Sequence, residues 1–142
     1  MASAGFLASH FKDMPTGFGE PTEALEAPKI CFLFAPVGWQ RLGMGRLLYE
    51  KEGVFRKIVD GVADQMKSEL PVDLRTVLYE KSLPSDTIDH AFFAQPALFA
   101  VETGLDALWR ARGIAPDVLI GHSLGELAAA CSGNGEPLFL GF

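Results

Sequence analysis

The sequence predicts an α/β protein with a partial open parallel sheet that carries helices on both faces. Two short apolar runs, residues 30–35 and 118–120, have the length and composition of strands buried in a parallel sheet. The residues between them show the periodicity of amphipathic helices, which form the crossover between two parallel strands. The second strand leads directly into a Gly-x-Ser-x-Gly turn and a further helix, a strand–nucleophile elbow–helix unit. Two strands are too few for a complete sheet of this kind, so we expect an incomplete one.

Hydrophobic periodicity predicts the helices between the two strands, over residues 54–70, 72–79 and 96–113. Pro96 suits the first turn of the third helix, because a missing N–H removes no hydrogen bond there. We expect this helix to turn Leu108 and Trp109 inward. After the second strand, residues 124–131 predict the last helix.

Composition limits the class of protein. The chain has 142 residues, 49% of them hydrophobic, with a net charge of −6 and a mean hydropathy of +0.19. These values are typical of one soluble globular domain or a piece of a larger one. The acidic balance without clustered Lys and Arg argues against nucleic acid as a partner. No apolar run reaches the ~18 residues of a membrane span, and nothing suggests export, so we expect no membrane partner and a cytoplasmic location.

The two cysteines predict free thiols. Cys31 and Cys131 lack CxxC spacing, and each lies among apolar or small residues. We therefore expect both to be buried in a reducing compartment, with no disulfide and no metal site.

The turn after the second strand predicts a nucleophilic serine. Gly121 and Gly125 flank Ser123, and their missing Cβ atoms permit a tight bend that lifts Ser123 to an exposed, strained point. A serine at a helix N-terminus faces backbone N–H groups and the positive end of the helix dipole, which stabilise an oxyanion at a bound carbonyl. The chemistry that this arrangement implies is acyl transfer.

A structural interpretation of the same residues stays open at this point. Ser123-Leu-Gly-Glu126 also has the spacing of a Ser-x-x-Glu capping box, in which the serine side chain bonds the backbone of the first helical turn. In that case Ser123 would stabilise the helix and have no chemical role.

Three segments, taken together, resemble a known family. They are residues 32–49, with Gly-Met-Gly after an apolar strand, residues 94–99, with Gln-Pro-Ala-Leu, and residues 121–126, Gly-His-Ser-Leu-Gly-Glu. The chain resembles the malonyl-CoA:acyl-carrier-protein transacylases and the acyltransferase domains of polyketide synthases. The resemblance implies that residues 29–132 are the N-terminal part of an acyltransferase catalytic domain. Residues 1–28, rich in Gly and Pro, are then a flexible leader or linker, and residues 133–142 a tail that does not match.

The resemblance also implies roles for individual residues. Ser123 would attack a thioester and become acylated, with the backbone N–H groups of Leu124 and Val37 as oxyanion donors. Gln40 and Gln95 match family glutamines that line or support the substrate pocket. The family implies acyl-coenzyme A as substrate, malonyl-CoA among them, an acyl carrier protein as partner, and no bound cofactor. The pathway would be fatty-acid or polyketide synthesis.

The sequence departs from the family in two places. A serine hydroxyl requires a positioned base, and in the family that His, with the Arg that binds the malonyl carboxylate, lies after the serine motif. No His or Arg follows Ser123 here. We expect His122 to line or orient the pocket rather than act as the base. Pro36 and Trp39 replace small residues of the oxyanion loop and put its shape in question. We therefore expect truncation to impair activity, unless the remainder of an acyltransferase or synthase supplies the base.

Two other functions stay open from sequence alone. An esterase or thioesterase of the α/β-hydrolase type also uses Gly-x-Ser-x-Gly, and it would pass the acyl group to water instead of a phosphopantetheine thiol. Alternatively, the chain is a non-catalytic half-domain that binds a carrier protein or a complementary chain. Because its apolar strands require cover, we expect the isolated chain to fold poorly or to self-associate.

Overall fold

The computed structural model describes residues 29–80 and 82–134. The predicted leader or linker over 1–28 and residues 135–142 of the predicted tail lie outside this part. The strands and helices follow in the order β1 (Cys31–Phe34), α1 (Arg46–Lys51), α2 (Gly53–Gln65), α3 (Leu74–Tyr79), α4 (Ala91–Ala111), β2 (Val118–Gly121) and α5 (Leu124–Asn134). Short 3-10 turns, Met66–Ser68 and Thr87–Asp89, precede α3 and α4.

The two strands form a parallel pair. Cys31 lies opposite Val118, and the register continues to Phe34 opposite Gly121. Helices α1 to α4 make the connection between the strands, as expected for a crossover. The predicted fold class, an α/β protein with a partial parallel sheet, is therefore confirmed.

One face of the sheet is apolar and open in the described part of the chain. Side chains alternate along a strand, and four residues of this face are exposed: Cys31, Leu33, Val118 and Ile120. Leu33 is 75% exposed, while its strand neighbour Phe34 is buried on the opposite face. The prediction of a buried Cys31 thiol is wrong, because Cys31 belongs to the open face; Cys131 on α5 is buried as expected.

The main core lies between α2, α3 and α4. Five of its side chains are fully buried: Phe55, Val59, Leu74, Val77 and Leu78. The Phe55 ring packs directly against two glycines, so that a Cβ on Gly45 or Gly104 would lie within 2.7 or 2.9 Å of a ring carbon. Helix α4 is therefore held at the distance from α2 that one aromatic ring allows.

Helix α4 begins earlier than its sequence predicts. It starts at Ala91, which places Pro96 inside the helix instead of in its first turn. The proline leaves only the Phe92 carbonyl without its i+4 donor, and Phe92 lies in the exposed first turn where water can replace that donor. Leu108 is buried as predicted, but Trp109 is 43% exposed and does not point inward.

A polar network joins α4 to α5. Asp106 accepts hydrogen bonds from Ser132 Oγ at 2.8 Å and from Arg110 Nε at 2.9 Å. Arg110 Nη2 also donates to Ser132 Oγ at 2.9 Å. Because Asp106 and Ser132 are both buried, this network fixes the position of the helix that follows the elbow.

Two stacked tyrosines in the α1–α3 region give a test of this packing. The rings of Tyr49 and Tyr79 lie 4.6 Å apart, and Tyr49 OH donates to Asp60 Oδ1 at 2.7 Å. Tyr79 OH is buried and has no partner in the described chain. Burial raises the pKa of Tyr79, so the hydroxyl stays protonated. We expect Tyr79→Phe to raise the free energy of unfolding by about 1 kcal/mol, since it removes an unpaired buried hydroxyl.

Tyr49→Phe is the matched control, because it removes a hydroxyl that has a partner. We expect it to lower the free energy of unfolding by about 1 kcal/mol. Urea unfolding of both variants measures the two values. A loss of stability in Tyr79→Phe as large as that in Tyr49→Phe would contradict the packing described.

Candidate active site

Ser123 lies at the turn between β2 and α5 in a conformation that serine rarely adopts. Its φ is 57°, and no other non-glycine residue in the described ranges has a positive φ. The left-handed region costs a residue with a Cβ about 1–2 kcal/mol. Such strain is typical of a nucleophile at a strand-to-helix turn, and Ser123 is exposed there as predicted.

The two flanking glycines permit this turn by close approach. Neither Gly121 nor Gly125 has a positive φ. A Cβ on Gly121 would lie 2.2 Å from the carbonyl oxygen of Gly125, and a Cβ on Gly125 would lie 2.2 Å from the carbonyl oxygen of Phe34. The start of α5 therefore packs its backbone directly on the end of β1, which no residue with a side chain allows.

The first residue of α5, Leu124, has a backbone N–H that bonds nothing in the described chain. Gly125 N–H donates to the His122 carbonyl at 3.0 Å, and Glu126 N–H donates to the Ser123 carbonyl at 2.9 Å. Leu124 N–H has no acceptor among residues 29–80 and 82–134. Ser123 Oγ accepts no hydrogen bond from Glu126 in this part of the chain, so the capping-box interpretation receives no support. The free hydroxyl and the free N–H are adjacent in the chain.

The loop after β1 is held by side chains on both sides of Val37. Ala35 N–H donates to Glu102 Oε1 on α4 at 2.7 Å. Gly38 N–H donates to Gln40 Oε1 at 2.8 Å, and Gln40 Nε2 donates to Asp89 Oδ1 at 2.8 Å. Gln40 is buried, so it supports the loop from within.

Two features of this loop concern the departure at Trp39 and the predicted donor at Val37. Trp39 is 66% exposed, so the bulky side chain that replaces a small residue points to solvent. Val37 is exposed, and its N–H has no acceptor within the described residues. Both predicted oxyanion donors, the N–H groups of Val37 and Leu124, are therefore available.

The ends of the two strands bring Ser123 and the loop that contains Val37 to one edge of the sheet. His122 N–H donates to the Phe34 carbonyl at 3.2 Å, so the chain just before Ser123 is bonded to the chain just before the loop. In open α/β sheets, ligands bind at the carboxyl ends of the strands. The His122 side chain is exposed beside Ser123. Gln95 is exposed on α4, seven residues and so about two turns before Glu102, on the same side of the helix.

Sequence reasoning missed Glu102. This residue is half-buried, and its Oε2 is buried without a partner in the described chain. Burial raises the pKa of the Glu102 carboxyl, and the hydrogen bond from Ala35 N–H opposes that shift. One signal was present in the sequence, since Glu102 is a single carboxylate directly after the apolar run 97–101.

The described part of the chain contains neither a metal cluster nor a spanning helix. In residues 29–80 and 82–134, no group of three His, Cys, Asp or Glu residues lies close enough to hold a metal ion. None of the helices described is long and apolar enough to cross a membrane.

Comparison with known proteins identifies the family. Residues 31–135 match the acyl transferase domain family. The chain belongs to this family. Its resemblance to polyketide synthase acyltransferase domains and malonyl transacylases is confirmed.

Relatives of this chain include large synthases and solved domains. It is 46% identical over 102 residues to the phenolphthiocerol synthesis polyketide synthase type I Pks15/1 of Mycobacterium bovis. This match covers 72% of this chain and 5% of that protein. It is similar to the acyl transferase domain of SpnD in complex with 2-(pent-4-yn-1-yl)malonyl, with a TM-score of 0.67 and 41% identity over 77% of this chain and 26% of that one.

A third relative was solved with its protein partner. The chain is similar to the structure of a type II polyketide synthase acyl-carrier protein in complex with its malonyl-transacylase, PlMCAT:AntF. The TM-score is 0.65 at 26% identity, and the match covers 74% of this chain and 32% of that one. The chain spans only 5–6% of the length of the mycobacterial polyketide synthases that it matches.

Proposed function

We propose that the chain transfers a malonyl-type acyl group from coenzyme A to the phosphopantetheine thiol of an acyl carrier protein, through an acyl-enzyme on Ser123. The observation that carries the proposal is the strained, exposed Ser123 next to the unbonded N–H of Leu124. The malonyl compound bound to the SpnD domain and the carrier protein bound to PlMCAT support the substrate class and the partner.

The proposed reaction has two halves. Ser123 Oγ attacks the thioester carbonyl carbon while its proton passes to a base, and the oxyanion accepts hydrogen bonds from Leu124 N–H and Val37 N–H. The intermediate collapses with cleavage of the C–S bond, and the coenzyme A thiol leaves with the proton from the base. The carrier protein's thiol then gives its proton to the base and attacks the ester carbonyl of acylated Ser123. Cleavage of the bond between that carbon and Oγ, with return of the proton from the base, restores the serine hydroxyl. Gln40 supports the loop, and Gln95 and His122 line the approach to Ser123.

We propose that the base lies on a polypeptide segment outside the described residues. Within residues 29–80 and 82–134, His122 makes no side-chain hydrogen bond to Ser123. The open apolar face with Leu33 and Ile120 supports association with such a segment, because large apolar side chains gain about 1.5–3 kcal/mol each on burial. A His on that segment would take the Ser123 proton, and an Arg would bind the malonyl carboxylate.

Labelling of Ser123 tests the proposal. The chain is incubated with malonyl-CoA, alone and with a transacylase C-terminal half that supplies the His and Arg, and the adduct is located by intact mass and peptide mapping. We expect the label on the peptide that contains Ser123 and a large gain in yield with the added half. The chain alone should react slowly, because an oxyanion hole without its base retains only ~10³–10⁴-fold acceleration over water.

Ser68→Ala, at an exposed serine in a 3-10 turn, is the matched control for Ser123→Ala. We expect the first variant to keep the adduct and the second to lose it. An adduct that persists in Ser123→Ala would refute the assignment. Release of malonate to water faster than transfer to a carrier-protein thiol would favour the hydrolase alternative.

A further inference from the structure

We propose that Glu102 is a positioning residue that orients the Val37 N–H toward the oxyanion by holding the Ala35 N–H, an inference that rests on the proposed function. Glu102 lies on α4 and bonds the loop backbone two residues before Val37. It acts on the reaction only through that loop.

The direction of the Ala35 N–H shows why a side chain is needed there. The Phe34 carbonyl points to β2, where it accepts from His122 N–H at 3.2 Å. In a trans peptide the following N–H points the opposite way, so Ala35 N–H faces the other edge of β1. The described chain has no strand on that edge. Glu102 Oε1, at 2.7 Å, supplies the acceptor that a neighbouring strand would otherwise provide.

The link from Ala35 to Val37 is short and stiff. Pro36 fixes its own φ near −65° and restricts Ala35 to extended conformations. Few torsions therefore remain free between the N–H that Glu102 holds and the N–H of Val37. A fixed Ala35 consequently determines the direction in which Val37 donates.

The loop after Val37 is fixed by residues close to the start of α4, the helix that carries Glu102. Gly38 N–H donates to Gln40, and Gln40 donates in turn to Asp89, two residues before α4 begins. The N–H groups on both sides of Val37 are thus occupied, while that of Val37 is left for a ligand. This pattern is expected of a preorganised donor, which must not reorient when the oxyanion forms.

The burial of Glu102 agrees with a functional reason for its presence. Its Oε2 is buried and unpartnered in the described residues, which costs free energy that an apolar residue at this helix position would avoid. The hydrogen bond that Glu102 accepts from Ala35 N–H offsets part of this cost. Such unsatisfied groups are concentrated at functional sites in natural proteins.

Three variants of the full chain, assayed with the complementary half, test the proposal. Glu102→Leu removes the acceptor at similar size, Glu102→Gln keeps an oxygen acceptor, and Thr103→Val is the control. Thr103 is adjacent on α4 and bonds only within the helix, to the carbonyls of Phe99 and Ala100. We expect Glu102→Leu to lower the rate of Ser123 acylation at saturating malonyl-CoA by about 10–100-fold, with the half-saturating concentration unchanged. Glu102→Gln should stay within about 3-fold of the original rate, and Thr103→Val should match it.

Several outcomes would overturn the proposal. They are an unchanged acylation rate in Glu102→Leu, a loss that appears in the half-saturating concentration instead of the rate, or failure of Glu102→Gln to restore the rate. If the original chain forms no adduct on Ser123, the proposed function fails, and the amide NMR resonance of Val37 decides the positioning claim. A shift of that resonance in Glu102→Leu but not in Thr103→Val supports positioning, and an unchanged resonance refutes it.

Discussion

Replacing Gly125 by alanine is expected to lower the free energy of unfolding by about 3 kcal/mol or more and to abolish acylation of Ser123. The new Cβ would lie 2.2 Å from the Phe34 carbonyl oxygen and 2.5 Å from its carbon. Both are backbone atoms of β1, so no side-chain rotation relieves the overlap, and overpacking of this kind costs about 1–3 kcal/mol or more. The start of α5 must therefore move away from β1, and with it Ser123 and the Leu124 N–H.

Gly61→Ala is the control for this variant. Gly61 lies inside α2, and a Cβ there would meet nothing within 4 Å. Alanine is the better helix former, so we expect this change to raise the free energy of unfolding by about 0.5–1 kcal/mol. Urea unfolding and Ser123 labelling are measured on both proteins. A Gly125→Ala protein that unfolds and labels like the original would show that the elbow does not need the close approach described.

Replacing Phe55 by alanine is expected to lower the free energy of unfolding by about 3–5 kcal/mol. Phe55 is 0% exposed, and its ring fills the space against Gly45 and Gly104. Because these two neighbours have no side chains, neither can extend into the cavity, which favours a cost toward the upper end for a phenylalanine. A loss of that size is a large fraction of the 5–15 kcal/mol that stabilises a typical domain.

Phe92→Ala tests whether burial of the ring is the cause of the stability loss expected in Phe55→Ala. Phe92 is 74% exposed in the first turn of α4, so we expect its replacement to change stability by no more than about 0.5 kcal/mol. Urea midpoints of the two variants give the comparison. Equal losses in both would mean that the core does not lie between α2 and α4. A Phe55→Ala protein that is still folded should label Ser123 more slowly, because α4, against which the Phe55 ring packs at Gly104, also carries Glu102.

Local signals predicted both strands, the elbow and the helices α2 to α5, while the short helix α1 was not predicted. The apolar strands, the serine between two glycines and the buried Cys131 each depend on a few neighbouring residues, and the structure agrees with these signals. The predicted start of α4 is wrong because prolines most often occur in the first turn of a helix, whereas Pro96 lies inside this one. Here the proline follows a complete helical turn in which Phe93 N–H and Ala94 N–H both donate to the His90 carbonyl.

Contacts between distant residues could not be predicted. Glu102 and Ala35 are 67 residues apart, and Ser132 and Asp106 are 26 apart, so no period or spacing joins them. The exposure of Cys31 is of the same kind, because it depends on which face of the sheet another element covers. The roles of Ser123 and its donors rest on the family and the local geometry, and labelling will test them.

The exposure of Trp39 gives the loop a spectroscopic signal of its own. The sequence contains two tryptophans, and the other, Trp109, lies near the end of α4. Trp109→Phe would leave one indole, two residues from the Val37 donor. The emission maximum of that indole and its quenching by iodide would then change when a ligand binds next to the loop. Ligand affinity becomes measurable by fluorescence titration without any turnover, including in Ser123→Ala, where no chemistry can occur.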